Sequence, residues 1–465
     1  MKQIDNCIAL ISILFSLTAG AQEHVAVTAV NPQDKMLIDN FKYHIKTLAS
    51  SEYGGRGAMT HGDTLSYTYI LEQFKGMSNI EMLADGGLQK YAYSGLREVT
   101  ADSTYMLLNG KKLRINRDYT PSLFSWKGGF SGKVIYVGSG KEKDYKGKEV
   151  KDKIVMIEGE FDEDTFEDFL FDTGIAAENA RVAGIVIIVK KLPVQKTKWA
   201  LSPNSLFVYV TPEIAERLGK GASLDYYAKI EKGKKECIYT DNVVVRINAP
   251  AEANPNRECV VIGAHYDHLG KYKKNDTLRI MYGADDNASG VATMIEYARY
   301  FSKHRELLKR DIICVAFGSE EARNIGSNYF VDNPLIPLST IKAMFNFDMT
   351  GRMANNKVEI NGIGDVAGAF ALLSTLPNPE KLNLMILMSK EGNTDYISFK
   401  LKNIPALSFS TGMHKEWHTY KDTEDKINYR GMKRLYNYVL PLISRFAFEN
   451  LTLTSIINGK QSSSK

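Results

Sequence analysis

Apolar positions recur along the chain at spacings that change near residues 100 and 236. From about residue 36, KMLIDNFKYHIKTLAS and HGDTLSYTYILEQFKGM carry apolar residues at helical spacing. Between about 101 and 235, short runs such as KVIYVGSG and GIVIIVK alternate with turn-forming residues, which is typical of strands. From about 236, strand-like runs, among them CVVIGAH, DIICVAFG and AMFNFDM, alternate with helical segments. The pattern predicts a β-rich block within an α/β protein.

Strands that alternate with helices predict a mixed, mostly parallel sheet flanked by helices. A chain of 465 residues is also too long for one ordinary core. We expect residues 1–21 to be a signal peptide, 30–100 and 236–450 to form the main domain, 101–235 to be an inserted β-rich domain, and 451–465 to be a tail. In such sheets, ligands bind at the carboxyl ends of the strands.

The N-terminus has the features of a secretory leader. Lys2 precedes the apolar stretch CIALISILFSL, and the small residues Ala19-Gly20-Ala21 follow it, so we predict cleavage after about Ala21. The apolar stretch is shorter than the roughly 20 residues that a membrane span needs. We therefore predict an exported protein, periplasmic or extracellular, with no membrane span after cleavage.

The composition of the chain argues against nucleic-acid binding and against a disulfide-rich fold. The formal net charge of +5 is spread along the chain, so no basic patch indicates binding to nucleic acid. Removal of Cys7 with the leader leaves Cys237, Cys259 and Cys314, which allow one disulfide at most. The hydrophobic content of 44% is typical of a globular protein.

Metal-binding residue types follow several of the predicted strands. These residues are His265, the pair Asp285-Asp286, the pair Glu320-Glu321, Asp348 and His418. Histidines combined with carboxylates suit zinc, although manganese or cobalt could occupy the same site. We predict a pair of metal ions with Asp285 between them and a shared water as nucleophile. Asp267, two residues after His265, can accept the other ring proton of that histidine.

Five motifs in this order resemble the zinc aminopeptidases of the M28 family of metallopeptidases: AHYDHLG, GADDNASG, AFGSEEARNIGS, NFDMTGR and WHTYKDTEDKI. The segment LASSEYGGRGAMTHGD resembles the N-terminal part of that family. The stretches KDKIVMIEGE and ARVAGIVIIV resemble the protease-associated (PA) domain that many members carry. The resemblance extends from about residue 36 to about residue 445, and it implies the zinc-exopeptidase fold with an inserted PA-like domain.

The resemblance also implies a role for each motif residue. His265 and Asp348 would hold one zinc ion, Glu321 and His418 would hold the other, and Asp285 would bridge the two. Glu320 would act as general base towards the metal-bridging water, and Asp267 would orient His265. The Asp285–Asp286 peptide bond would be cis. The implied activity is that of a secreted di-zinc aminopeptidase that removes N-terminal residues from peptides.

Two alternative functions remain open at this point. Trp417 stands where many M28 peptidases have a tyrosine, and a tryptophan there resembles the glutaminyl cyclases, which share the fold and bind one zinc ion. Some other relatives, such as the transferrin receptors, have lost metal ligands and act in recognition. The complete ligand set and Glu320 argue against such an inactive binding protein. His268 and His414 receive no role from the sequence.

Overall fold

The structure, a computed structural model, describes most of the chain between residues 32 and 456. The predicted leader, Cys7 and Cys237 lie outside the described residues. Cys259 and Cys314 are buried free thiols. The described ranges are 32–93, 97–122, 125, 128–159, 173–174, 176–177, 180–193, 206–232, 238–274, 277–387 and 394–456.

The described residues form two compact units. The first contains the residues up to Tyr91, Tyr239–Lys271, and the residues from Arg279 onward. The second contains Ala92–Ile238 and Tyr272–Leu278. The predicted insert at 101–235 falls within this second unit, and its assignment as a PA domain stays a prediction.

The first unit is built on a mixed sheet. Asp311–Phe317, Cys259–His265, Ile341–Phe347 and Ala406–Ser410 run parallel to one another. Ile238–Ile247 and Lys357–Asn361 flank this group as antiparallel neighbours. The strand order is Ile80–Met82, Ile238–Ile247, Asp311–Phe317, Cys259–His265, Ile341–Phe347, Ala406–Ser410, Lys357–Asn361 and Asn383–Leu387, with Leu88–Tyr93 also paired to Ile238–Ile247.

The central strands are buried on both faces, as their continuous apolar sequences predict. Every residue of Cys259–His265 and of Asp311–Phe317 is buried. Val260 and Ile262 pack into a core that helices cover on one face, and Val261 packs into a smaller core on the other face. The predicted α/β class, with a mostly parallel sheet between helices, is confirmed.

Helices cover the sheet of the first unit. Thr60 accepts a hydrogen bond from the Asp63 amide at the start of one helix, and Asn428 accepts one from Gly431 at the start of the last. No helix among the described residues is long and apolar enough to cross a bilayer. The α-helices are Pro32–Leu48, His61–Lys75, Gly290–Lys303, Ile325–Asp332, Ala369–Ser374, Tyr396–Lys400 and Tyr429–Phe448.

The second unit consists mainly of short strands. One sheet has the order Tyr119–Pro121, Phe207–Val210, Gly184–Ile188, Ile154–Glu158 and Val134–Gly138. Another has the order Lys111–Lys112, Tyr105–Leu108, Leu224–Ala228 and Gly128–Gly132. Other elements that the structure describes here include the strand pair Arg97–Val99 and Ile230–Lys232, the strand pair Lys271–Lys274 and Thr277–Ile280, and the helices Glu142–Tyr145 and Pro212–Gly219. This composition agrees with the β-rich pattern of the sequence.

Candidate metal centre

Three parallel neighbouring strands deliver acidic and imidazole side chains to one edge of the sheet. His265 is the last residue of Cys259–His265, Glu320 follows Asp311–Phe317, and Asp348 follows Ile341–Phe347. Cys259–His265 lies between the other two strands, so their carboxyl ends meet. The register of the sheet therefore accounts for this cluster, as expected for strand ends in an open α/β sheet.

The first cluster is centred on the imidazole of His265. Its Nε2 atom lies 3.4 Å from Asp348 Oδ1, 3.4 Å from Asp286 Oδ1 and 3.9 Å from Glu320 Oε2. Donor atoms of His265, Glu320 and Asp348 all lie within 4.8 Å of one another. The ring of His265 is almost completely buried. This arrangement of buried donors could hold a metal ion.

The second cluster surrounds the carboxylate of Glu321. Glu321 Oε2 is 3.1 Å from His418 Nε2, and Glu321 Oε1 is 2.7 Å from His268 Nδ1. His418 Nε2 is also 3.2 Å from Asp286 Oδ2. Asp286 therefore faces the first cluster through one oxygen and the second cluster through the other.

Asp285 lies elsewhere, and the prediction that it bridges two metal ions is wrong. Asp285 Oδ1 accepts hydrogen bonds from the Gly351 amide at 2.6 Å and from the Ser289 hydroxyl at 3.0 Å. Its Oδ2 atom is 3.3 Å from His414 Nε2. Asp286 occupies the position that the sequence analysis gave to Asp285.

The local backbone explains why neighbouring aspartates point in different directions. Ala284–Ser289 forms an irregular π-helical turn in which Asp286 and Asn287 have non-helical backbone angles. The cis peptide bond joins Asp286 to Asn287, so its prediction at Asp285–Asp286 is also wrong. The Asn287 side chain fixes the turn, since its Oδ1 accepts the amides of Gly290 and Met349.

The distances between donor atoms indicate which residues could bind one tetrahedral ion. Ligands about 2.0–2.1 Å from zinc in tetrahedral geometry stand about 3.3 Å from one another. The contacts of His265 with Asp286 and Asp348, at 3.4 Å, match this spacing. The contacts of His418 with Asp286 and Glu321, at 3.2 and 3.1 Å, also match it. The donor set therefore fits two neighbouring ions that share Asp286.

The model of the family described as Peptidase family M28 matches residues 242–443, a little under half of the chain. Residues 242–443 are therefore similar to peptidase family M28. The matched stretch contains every residue of both clusters, and it confirms the resemblance seen in the five sequence motifs.

Curated proteins that are similar to this chain include two from bacteria. The uncharacterised protein YfbL of Escherichia coli K12 is 26% identical over 218 residues, which is 40% of this chain and 66% of the relative. The aminopeptidase YwaD of Bacillus subtilis 168 is 25% identical over 319 residues, which is 66% of this chain and 64% of the relative. The chain thus spans just under two thirds of the length of each of these relatives.

Two solved structures share the fold of this chain. The aminopeptidase from Aneurinibacillus sp. strain AM-1 has a TM-score of 0.52 and 21% identity, over 88% of this chain and 94% of its own. The zinc aminopeptidase BSAP from Bacillus subtilis has a TM-score of 0.54 and 19% identity, over 89% of this chain and 96% of its own. Their coverage extends the fold likeness beyond the residues that the family model matches.

Asp267 organises the loop that carries the two glutamates. Its carboxylate accepts the Glu320 amide at 2.9 Å and the Glu321 amide at 3.3 Å. Towards His265 Nδ1 the nearer atom is the main-chain oxygen of Asp267 at 3.2 Å, while its Oδ1 lies at 3.7 Å. Asp267 therefore links the first cluster to the backbone of both glutamates.

Arg56 supports the same region from the N-terminal segment, and sequence analysis missed this role. Its guanidinium is fully buried and donates to the main-chain oxygens of Tyr266, Gly283 and Asp286. Further bonds reach the oxygens of Leu48 and Tyr282. Burial lowers the pKa of Arg56 to about 10, which still leaves it charged at neutral pH. A buried cation bound to this backbone offsets part of the negative charge of the site.

The carboxylates of the two clusters shift the pKa values of neighbouring groups. Burial raises the pKa of Glu320 well above its usual range; His265 lowers it in part, and the charges of Glu321 and Asp348 raise it further. Burial alone lowers the pKa of His418, but Glu321 and Asp286 outweigh that effect and raise it to about 11. Without bound cations, the site thus retains protons that a metal would displace.

Asp395 is a further buried carboxyl near the site that sequence analysis did not assign. It is fully buried, and burial raises its pKa to about 7. It lies close enough to His265, Asp267 and Asp348 for their charges to act on it. Its position in GNTDYISF, after a strand and before a short helix, was the available signal.

Proposed function

We propose that this protein is an exported di-zinc aminopeptidase. The observation that supports this function best is the Asp286 carboxylate, whose two oxygens face two separate imidazole–carboxylate pairs at 3.2–3.4 Å. A carboxylate in this position can bridge two ions, which is the arrangement of two-metal hydrolytic sites. The M28 match and the named aminopeptidase relatives agree with this proposal.

In this proposal, each ion has its own imidazole and its own carboxylate. His265 and Asp348 hold one ion, and Glu321 and His418 hold the other. Imidazole nitrogen and carboxylate oxygen are the donors that zinc prefers in catalytic sites. The clustering of buried acidic groups, with histidines that carry raised pKa values, also favours occupancy by cations.

Glu320 is not assigned to either ion in this proposal, and it acts as the general base and acid. Its Oε2 atom lies 3.9 Å from His265 Nε2, which is longer than the spacing of two donors on one ion. When bound, zinc would polarise the scissile carbonyl and increase the acidity of water. The Glu320 carboxylate takes a proton from the attacking water and delivers it to the departing amine, a contribution of roughly 10²–10⁴-fold to the rate.

The substrates in this proposal are peptides with a free N-terminus. The test is hydrolysis of a panel of aminoacyl-4-nitroanilides by the mature chain after chelation and again after zinc is restored. We expect release only with zinc, and a loss of roughly 10²–10⁴-fold in Glu320→Gln. Glu306→Gln, on an exposed turn, is the matched control and is expected to keep full activity.

A zinc-loaded chain that cleaves no member of the panel would contradict the aminopeptidase assignment. The same preparation should then be given peptides with an N-terminal glutamine, because Trp417 also matches the cyclase pattern. Cyclisation without hydrolysis would identify a glutaminyl cyclase. Zinc binding with neither reaction would favour an inactive binding protein.

Export rests on the sequence of residues 1–21 alone. N-terminal sequencing of the protein from separated cellular fractions tests this part of the proposal. We expect a mature terminus near Gln22 in the periplasmic or extracellular fraction. An intact Met1 in the cytoplasmic fraction would contradict it.

A further inference from the structure

His268 lies beneath the second cluster, and the proposed chemistry does not use it. The residue is fully buried, and its Nδ1 atom is 2.7 Å from Glu321 Oε1. Its main-chain amide donates to the Arg56 oxygen at 3.2 Å, which fixes the backbone at this point. The other ring nitrogen, Nε2, is buried and has no hydrogen-bond partner among the described residues.

Donor atoms of His268, Asp286 and Glu321 all lie within 4.8 Å of one another, but the individual distances from His268 match a hydrogen bond better than shared coordination of a tetrahedral ion. Its Nδ1 atom is 2.7 Å from Glu321 Oε1 and 3.9 Å from Asp286 Oδ2, whereas two donors on one tetrahedral ion stand about 3.3 Å apart. The first distance is that of a hydrogen bond to a carboxylate. His418 has the matching distances to Asp286 and Glu321 and approaches from the more exposed side.

We propose that His268 is a positioning residue that selects which oxygen of Glu321 binds the second ion. The Nδ1–H group of His268 donates to Oε1 and holds the carboxylate with Oε2 towards His418. Outer hydrogen bonds of this kind fix the orientation of a ligand and increase its affinity for the metal. The inference rests on the two-ion site proposed above.

The neighbouring residue completes this arrangement. Asp267 binds the main-chain amides of Glu320 and Glu321, and His268 binds the side chain of Glu321. Consecutive residues after the Cys259–His265 strand therefore fix the backbone and the side chain of the same ligand. Loss of His268 should affect the ion at Glu321 and leave the ion at His265 in place.

Three substitutions test whether His268 donates a hydrogen bond to Glu321 or binds the metal ion itself. His268→Asn keeps an N–H group near the position of Nδ1, whereas His268→Gln and His268→Leu remove it. His61→Leu, an exposed histidine at the start of a helix, is the control. Each full-length mature chain is stripped of metal and titrated with Zn²⁺ against a chelating indicator. Circular dichroism verifies that each variant is folded.

We expect the wild type to bind two ions. In His268→Gln and His268→Leu, one ion should bind with wild-type affinity, and the other should bind roughly 10–100-fold more weakly. His268→Asn should remain within a few-fold of the wild type at both sites. If the leucine variant does not fold, the glutamine variant decides the outcome.

Other results would overturn the inference in different ways. Wild-type affinity for both ions in the glutamine variant means that the hydrogen bond has no effect on binding. Equal loss of both ions means a general structural role. If His268→Asn loses one ion as completely as His268→Gln does, the imidazole is itself a metal ligand. A wild type that binds fewer than two ions refutes the proposed function instead.

Discussion

Trp417 donates its indole N–H to Asp286 Oδ2 at 2.9 Å, and its ring stacks on His418 with centroids 3.8 Å apart. The tryptophan thus contacts the shared carboxylate and one of the imidazoles. In the proposed site, an N–H group that donates to Asp286 would orient a metal ligand and would not be free to bind a reacting oxyanion. Many M28 peptidases have a tyrosine at this position. In this chain the tryptophan contacts Asp286 and His418 instead of pointing a free donor into the site.

Replacement of this indole should weaken metal binding. Trp417→Phe keeps an aromatic ring beside His418 but removes the N–H group, so we expect a roughly tenfold lower affinity for zinc. Zinc titration of the metal-free chain measures the change, with Tyr300→Phe in the helix Gly290–Lys303 as control. An unchanged zinc affinity together with a lower kcat would contradict this role and place the indole on the substrate.

Isosteric changes at the adjacent aspartates should have unequal effects. Asp286→Asn reduces the charge of the shared ligand, so we expect loss of at least one ion and a fall of more than about 10²-fold in activity. Asp285→Asn keeps an oxygen for the Gly351 amide and should retain both ions. Metal content by elemental analysis and nitroanilide hydrolysis measure both. A reversed order of effects would restore Asp285 as the bridge.

Metal binding should release protons. The pKa of His418 is about 11 in the metal-free protein, so its ring is protonated at neutral pH and must lose that proton to bind zinc. Since the free protein holds more protons than the complex, zinc affinity rises with pH. Calorimetry in buffers of different ionisation enthalpy counts the protons at pH 7.

The matched variant for this measurement is His418→Gln. It should bind the second ion weakly and release fewer protons than the wild type. Equal proton release by the variant and the wild type would show that other groups supply the protons. Zinc affinity that falls with increasing pH would contradict the argument altogether.

Asp63 should give the protein a pH-dependent stability that is unrelated to metal binding. Burial raises its pKa to about 7, although Met59 and Thr240 donate to its carboxylate. A pKa raised on folding means that the contribution of Asp63 to stability is full below pH 4 and is lost as the pH rises towards 7. The loss is on the order of 4 kcal/mol at most, since the pKa rises from 3.8 to about 7.

Asp63→Asn should remove this dependence, because an amide does not ionise in this range. Urea denaturation of the metal-free chain at pH 5 and pH 8 measures it. We expect the variant to lose less unfolding free energy than the wild type between these values. Asp39→Asn, an exposed position, is the control. Parallel pH profiles for wild type and Asp63→Asn would contradict the argument.

The sequence predicted the strands that build the site because their apolar runs are long and buried on both faces. His265, Glu320 and Asp348 follow from those strands, since a strand end fixes where the next side chains lie. The choice between Asp285 and Asp286 depends on an irregular turn whose backbone no periodicity describes. The contacts of His268 and Arg56 depend on loops that are distant in sequence, so neither role could be predicted.

Residues far before and far after it in the sequence form hydrogen bonds with the turn that carries Asp286. The Asp422 carboxylate accepts the amides of Asp285 and Asp286, 137 and 136 residues earlier, while Arg56 binds the Asp286 oxygen 230 residues later. During synthesis, the turn that carries Asp286 therefore lacks the Asp422 hydrogen bonds until residue 422 has been added. Zinc bound earlier in synthesis would meet only part of the proposed ligand set, so the proposed metal site can form only in the nearly finished polypeptide.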